Sequence, residues 1–207
     1  MENIQGVEIN KFPLDLNHVM DLIYFEGPLL SLFKNESGDH YLYYWCDVDD
    51  IYNRWIIFRI SQQNLKNYLL KKTALSDLIV KPVDGFVYVV DINDELRFNN
   101  VCLIKSDELP QSYIPESDSF YDMETELDEL NKKEKLFLLN FLIDKNTINY
   151  SLEYILKYQY VIEEIKKQLK TENFSDSDLP LSISKYPADD YDNYDNEISF
   201  NQLFYKS

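Results

Sequence analysis

The chain has 207 residues, 45% hydrophobic and 28% charged, enough for one domain whose core needs no disulfide or metal staple. Its net charge of −17 argues against direct binding of DNA or RNA and against docking on anionic membranes, because an acidic field repels polyanions. That charge favours a basic protein partner, and its plain alternative is a role in solubility.

No apolar run reaches the ~18 residues of a membrane-spanning helix, so none is expected. The first residues, MENIQG, lack a basic stretch followed by an apolar one, so no secretory leader is expected. Cys46 and Cys102 both fall in strand-like sequence, without neighbouring metal ligands, and read as reduced thiols of a cytoplasmic protein.

The first half reads as a sheet. Residues 28–34 (PLLSLFK), 40–48 (HYLYYWCDV) and 54–60 (RWIIFRI) are strand-length and rich in aromatic or β-branched side chains. Turn-forming clusters, NESGD and DDIYN, separate them and predict an antiparallel meander. Ser61 is placed to cap a helix through Leu65, Tyr68, Leu69 and Leu70. Residues 73–79 suggest one more helical turn, after which Pro82 and Gly85 punctuate. Residues 86–92 (FVYVVDI) and 96–104 (LRFNNVCLI) predict a second hairpin. The expected fold class is α+β: an antiparallel sheet of about five strands, a covering helix, an αα-hairpin and an acidic C-terminal tail. The expected organisation is an α+β module over 1–105, an acidic linker or loop over 106–130, the helical hairpin over 131–170 and the tail over 171–207.

Charge follows that division, with net −5 over 1–105, −9 over 106–130, +3 over 131–170 and −6 over 171–207. Residues 106–130 hold nine acids and no base. Residues 132–145 are apolar almost all round, as in a buried helix. Ile155, Tyr158, Ile162, Ile165 and Leu169 step by three and four, a seam that packs within the chain or joins two copies as a homo-oligomer. The tail sets Asp189, Asp190, Tyr191, Asp192, Tyr194 and Asp195 before an apolar cluster that includes Phe200, Leu203 and Phe204. Such a segment suits folding onto a partner, and its alternative is docking on its own domain.

A second candidate site is the turn region Trp45, Asp47, Asp49, Asp50, Arg54 and Trp55. Three carboxylates together suit Mg²⁺ or Ca²⁺, yet the spacing fails the calcium-loop pattern, with Ile51, Tyr52 and Phe58 where oxygen, Gly and Glu would stand. The alternative is a turn in which Asp caps backbone amides. An Arg beside an aromatic suits an anionic or planar ligand, or else an ion pair with Asp47 or Asp49. No Gly-rich phosphate loop, zinc-protease motif, paired C-x-x-C or nucleophile elbow occurs, so no catalytic residue, metal or cofactor is assigned.

The stretch Tyr43-Tyr44-Trp45-Cys46-Asp47, followed by Asn53-Arg54-Trp55-Ile56-Ile57-Phe58-Arg59 and the 65–79 helical region, resembles a bacterial family known only as a domain of unknown function, over roughly residues 22–105. The resemblance implies a recurrent module and no activity. The resulting expectation is a non-enzymatic cytoplasmic interaction protein that binds a basic partner, in the manner of antitoxins, immunity proteins or inhibitors, including those of phage-defence or other conflict systems. The alternatives are a small-ligand or metal-dependent sensor or hydrolase at the Asp47, Asp49, Asp50 and Arg54 cluster, and a homo-oligomeric structural protein.

Overall fold

A computed structural model of the chain describes residues 1, 4–93, 97–128, 130–143, 163–165 and 167–168. The strands are β1 (Val7–Glu8), β2 (Asn17–Tyr24), β3 (Pro28–Lys34), β4 (His40–Val48), β5 (Tyr52–Ile60), β6 (Phe86–Asn93) and β7 (Phe98–Lys105). They form one antiparallel sheet in the order β1-β7-β6-β5-β4-β3-β2. The expected meander and second hairpin form its centre, β3 to β7. The sheet has seven strands rather than about five, because β1 and β2 add an edge on each side. Strand β2 is irregular, with register shifts after His18, Asp21 and Ile23, and these breaks erase the period-two pattern that would announce a strand.

Each sheet face has its own cover. Tyr41, Tyr43, Ile57, Val90 and Val101 point to one side and pack under the chain that follows β1, with Ile9, Phe12, Leu14 and Leu16 laid over them. Phe12 anchors this cover, stacked on Phe98 at 5.1 Å and edge-on to Tyr88 at 5.5 Å. On the other face lie Leu30, Leu32, Leu42, Ile56, Phe58, Val87 and Val89, all buried. Helices α1 (Gln62–Leu69) and α2 (Leu75–Val80) cover that side with Leu65, Tyr68, Leu69, Leu75, Leu78 and Ile79. Ser61 caps α1 as expected, its Oγ accepting from Asn64 N at 3.1 Å.

The acidic stretch after β7 completes the same side. It makes 3₁₀ turns at Ser106–Glu108 and Gln111–Tyr113, then α3 (Met123–Glu126). Leu109, Tyr113, Tyr121, Met123, Leu127 and Leu130 face inward and are buried. Hydrogen bonds tie the segment down, among them Ser106 Oγ donating to Val80 O, Leu75 N donating to Ser119 O, and Ser76 N donating to Ser119 Oγ. Helix α3 packs against β2, so this strap runs from the β7 edge of the sheet to the β2 edge. Helix α4 (Lys132–Ile143) follows, burying Leu138, Leu139, Phe141 and Leu142. The second helix of the expected hairpin, over 151–170, lies almost wholly outside the described residues, and the tail over 171–207 lies wholly outside them. Among the described residues no helix is long and apolar enough to cross a membrane.

Candidate functional site

The turn cluster suggested by the sequence sits at one end of the sheet, where β4 passes into β5. Antiparallel pairing sets Trp45 opposite Trp55 and, across a bulge, Asp47 opposite Arg54. The bulge in β4 brings Asp47 opposite Arg54, and two-residue alternation along β5 puts Arg54 on the same face as Ile56 and Phe58. There it meets not Asp47 or Asp49 but Asp91 of β6, its register partner on the other flank. The pair is bidentate, Nε to Oδ1 at 2.7 Å and Nη2 to Oδ2 at 2.9 Å, with Arg54 8% and Asp91 2% exposed. Asn100 Nδ2 donates a further bond to Asp91 at 3.1 Å. Such a fork meets the geometric demand that makes a buried ion pair tolerable.

Arg54 also holds the strap. Its Nη1 donates to the Tyr113 hydroxyl at 2.8 Å, and that hydroxyl donates to Asp47 Oδ2 at 3.1 Å. The guanidinium lies 5.6 Å from the Tyr113 ring centre. The hydrogen bond to Asp91, more than any other influence, raises the Arg54 pKa and keeps the group cationic throughout the range in which proteins fold.

The other members are also engaged. Asp49 Oδ1 accepts from Ile51 N at 2.9 Å and Tyr52 N at 2.8 Å, and these backbone bonds lower its pKa. Asp47 Oδ1 accepts from Val48 N, and the Met1 amino group stands 4.0 Å from Oδ2. Trp45 Nε1 donates to Asn53 Oδ1 at 3.0 Å, and Trp55 packs on the aromatic face. Asp50 is exposed. Burial pushes the Cys46 thiol up to about 12, which leaves a poor nucleophile, and Cys102 moves the same way. Among the described residues no three His, Cys, Asp or Glu are grouped to hold a metal ion. The tail candidates Asp189, Asp190, Tyr191, Asp192, Tyr194, Asp195, Phe200, Leu203 and Phe204 lie outside the described residues.

Sequence reasoning had no view of Asp91, Asn100 or Tyr113. Asp91 and Tyr113 stand 37 and 59 residues from Arg54, so only the register of β5 on β6 and the path of the strap bring them together. A single acid within an apolar strand was the available signal for Asp91.

The opposite end of the sheet holds a cavity of about 230 Å³ lined by His40, Arg59, Ser61 and Gln62 among others. Arg59 spans Asp39 at 2.7 Å and Asp84 at 3.1 Å there, so two carboxylates already answer its charge.

The strap makes a second surface. Asp107, Glu108, Glu116, Asp118, Asp122 and Asp128 are all exposed, while Leu109, Tyr113, Tyr121, Met123 and Leu127 between them are buried and Phe120 is exposed. Its packed inner side fixes the backbone that carries these carboxylates.

The sequence model of a family of unknown function, DUF6575, matches residues 15–169. The chain belongs to that family. The match extends well beyond 22–105 and takes in the strap and both expected helices. No curated protein and no solved structure matches the chain.

Proposed function

We propose that this member of the family is a non-enzymatic interaction protein that binds a basic protein partner, in the manner of an antitoxin, immunity protein or inhibitor in the cytoplasm. The observation that carries the reading is the strap, with six exposed carboxylates on a backbone pinned by buried apolar residues and by Tyr113. A fixed row of like charges is costly for the free protein and complementary to a cationic surface, which raises association rates and selects the partner. The polar groups of the Asp47 and Arg54 cluster are engaged with one another and with backbone amides, which favours this reading over a ligand site at that turn. The acidic tail with Phe200, Leu203 and Phe204 belongs to the same reading as a flanking contact.

The test is affinity capture of the tagged full chain from its own cytoplasm at low and moderate salt, beside a variant carrying Asp107→Asn, Glu108→Gln, Glu116→Gln and Asp118→Asn. One stoichiometric basic protein that the wild type retains, that salt releases and that the variant fails to hold is the supporting result. Equal retention by the variant, or no retained protein at either salt, would refute it.

A further inference from the structure

The Arg54 end of the sheet reverses the usual order of charge and apolarity. Its cation is inside and its apolar side chains are outside. Of nine exposed large hydrophobic residues among those described, five with outward side chains lie at this end: Tyr24, Phe25, Val48, Ile51 and Phe98. Phe25 is 71% and Ile51 63% exposed. Scattered exposed apolar residues are ordinary, but a concentration on adjacent turns marks an interaction surface.

The strand order explains the concentration. The β2–β3 and β4–β5 turns belong to neighbouring hairpins, so their tips stand about 10 Å apart along one edge. Both tips are held firmly. Phe25 N donates to Gly27 O at 2.9 Å, and Glu26 takes a positive φ of 54°, uncommon for a non-glycine residue. The Asp49 carboxylate fastens the second tip through two backbone amides. The bond from Tyr113 to Asp47 brings the acidic strap beside it. Preorganised apolar anchors lose little entropy on binding, which is what a docking surface requires.

The charges at the tips select the occupant. The two turns carry Glu26, Asp49 and Asp50, all exposed, and neither Lys nor Arg, while Arg97 lies in the next connection. A second copy would bring acids against acids, the chain's own tail has net charge −6, and an anionic lipid surface is repelled. The geometry points to these two hairpin tips as the apolar anchor of a docking surface for a cationic protein segment that carries large apolar side chains among its Lys and Arg. This inference rests on the basic-partner reading and names where that partner's apolar residues sit.

The test uses two defined probes on the full chain, an oligolysine and a peptide of equal charge with Phe interleaved between its lysines. The Phe-bearing peptide is expected to bind roughly tenfold more tightly, the effect of burying one or two apolar side chains. The double variant Phe25→Ser/Ile51→Ser is expected to abolish that advantage and leave both oligolysine affinity and the unfolding midpoint unchanged. An advantage that survives the double variant would overturn the tip assignment and leave the basic-partner reading standing. Absence of salt-sensitive binding by either peptide would overturn both. Three other results would assign the tips to a different occupant and so also overturn the inference. The first is a dimer in light scattering that the double variant loses. The second is phosphatidylcholine vesicles that retain only the wild type. The third is tighter Phe-peptide binding when the tail is altered by Phe200→Ser/Phe204→Ser.

Discussion

Strand β5 carries an arginine near each end, and each arginine meets carboxylates, yet the two ends of the sheet are built on opposite plans. Arg59 lies at the surface between Asp39 and Asp84, beside an open cavity, with its charges in water. Arg54 is sealed beneath the strap with Asp91, and its end of the sheet turns Phe25, Val48 and Ile51 outward instead. The same ion-pair chemistry therefore serves two purposes. At the Arg59 end it decorates a surface. At the Arg54 end it joins β4, β5, β6 and β7 to Tyr113 of the strap, beside the apolar tips.

The largest expected effect separates the two arginines. Arg54→Met leaves the Asp91 charge buried without its cation and is expected to cost about 3–5 kcal/mol in urea unfolding. Arg54→Met/Asp91→Leu should recover most of that, because an apolar pair of similar volume removes the orphaned charge. If the single substitution cost under about 1 kcal/mol, the distinction between a buried and a surface pair would collapse.

Tyr113→Phe comes next. It deletes the hydroxyl between Arg54 and Asp47 and is expected to cost about 1–2 kcal/mol. Hydrogen exchange should localise the change, with faster amide exchange around Ile114 and Ser119 and unchanged protection in β6 and β7. Uniform acceleration across the sheet would mean that the hydroxyl supports the whole fold rather than the strap.

Arg59→Ala should cost no more than about 1 kcal/mol, since two half-exposed ion pairs in water contribute little, and added salt should shrink even that. A loss comparable to that of Arg54→Met would contradict the contrast between the ends.

The smallest effect is a pH slope at the Arg59 end. Burial, with help from Lys34, lowers the His40 pKa below its ordinary 6.5, against an opposing pull from Asp39. The unfolded chain thus binds a proton at a higher pH than the folded one. Stability from this group is complete above pH 6.5 and declines as pH falls below it, until the folded form protonates as well. His40→Asn should flatten that part of the urea-midpoint profile; an unchanged slope would assign it to other groups.

The sequence reveals the centre of the fold because local signals and tertiary structure agree there. Strands β3 and β4 begin and end where turn clusters and alternating aromatics set them, and Ser61 starts α1 by its own hydroxyl. Strand β2 escapes because bulges and the polar His18 and Asp21 interrupt its alternation. The packing of the strap is hidden by its own acids, since nine carboxylates dominate its composition while Leu109, Tyr113, Tyr121 and Leu127 hold its inner side. In the site, Asp49 is legible as a turn residue, because its bonds reach only two and three positions ahead. The partners of Arg54 are not, because they depend on strand register across the sheet.

The most direct measurement is an amide NMR titration of the full chain with oligolysine, at low salt and again at physiological ionic strength. The expected result is a set of shifts confined to the strap and the β4–β5 turn, from Asp107 to Asp122 and from Val48 to Ile51, weakening as salt rises. Shifts centred on Asp39, Arg59 and Asp84, or shifts spread evenly over the acidic surface, would contradict the claim that the strap and the β4–β5 tip beside Arg54 receive a cationic partner.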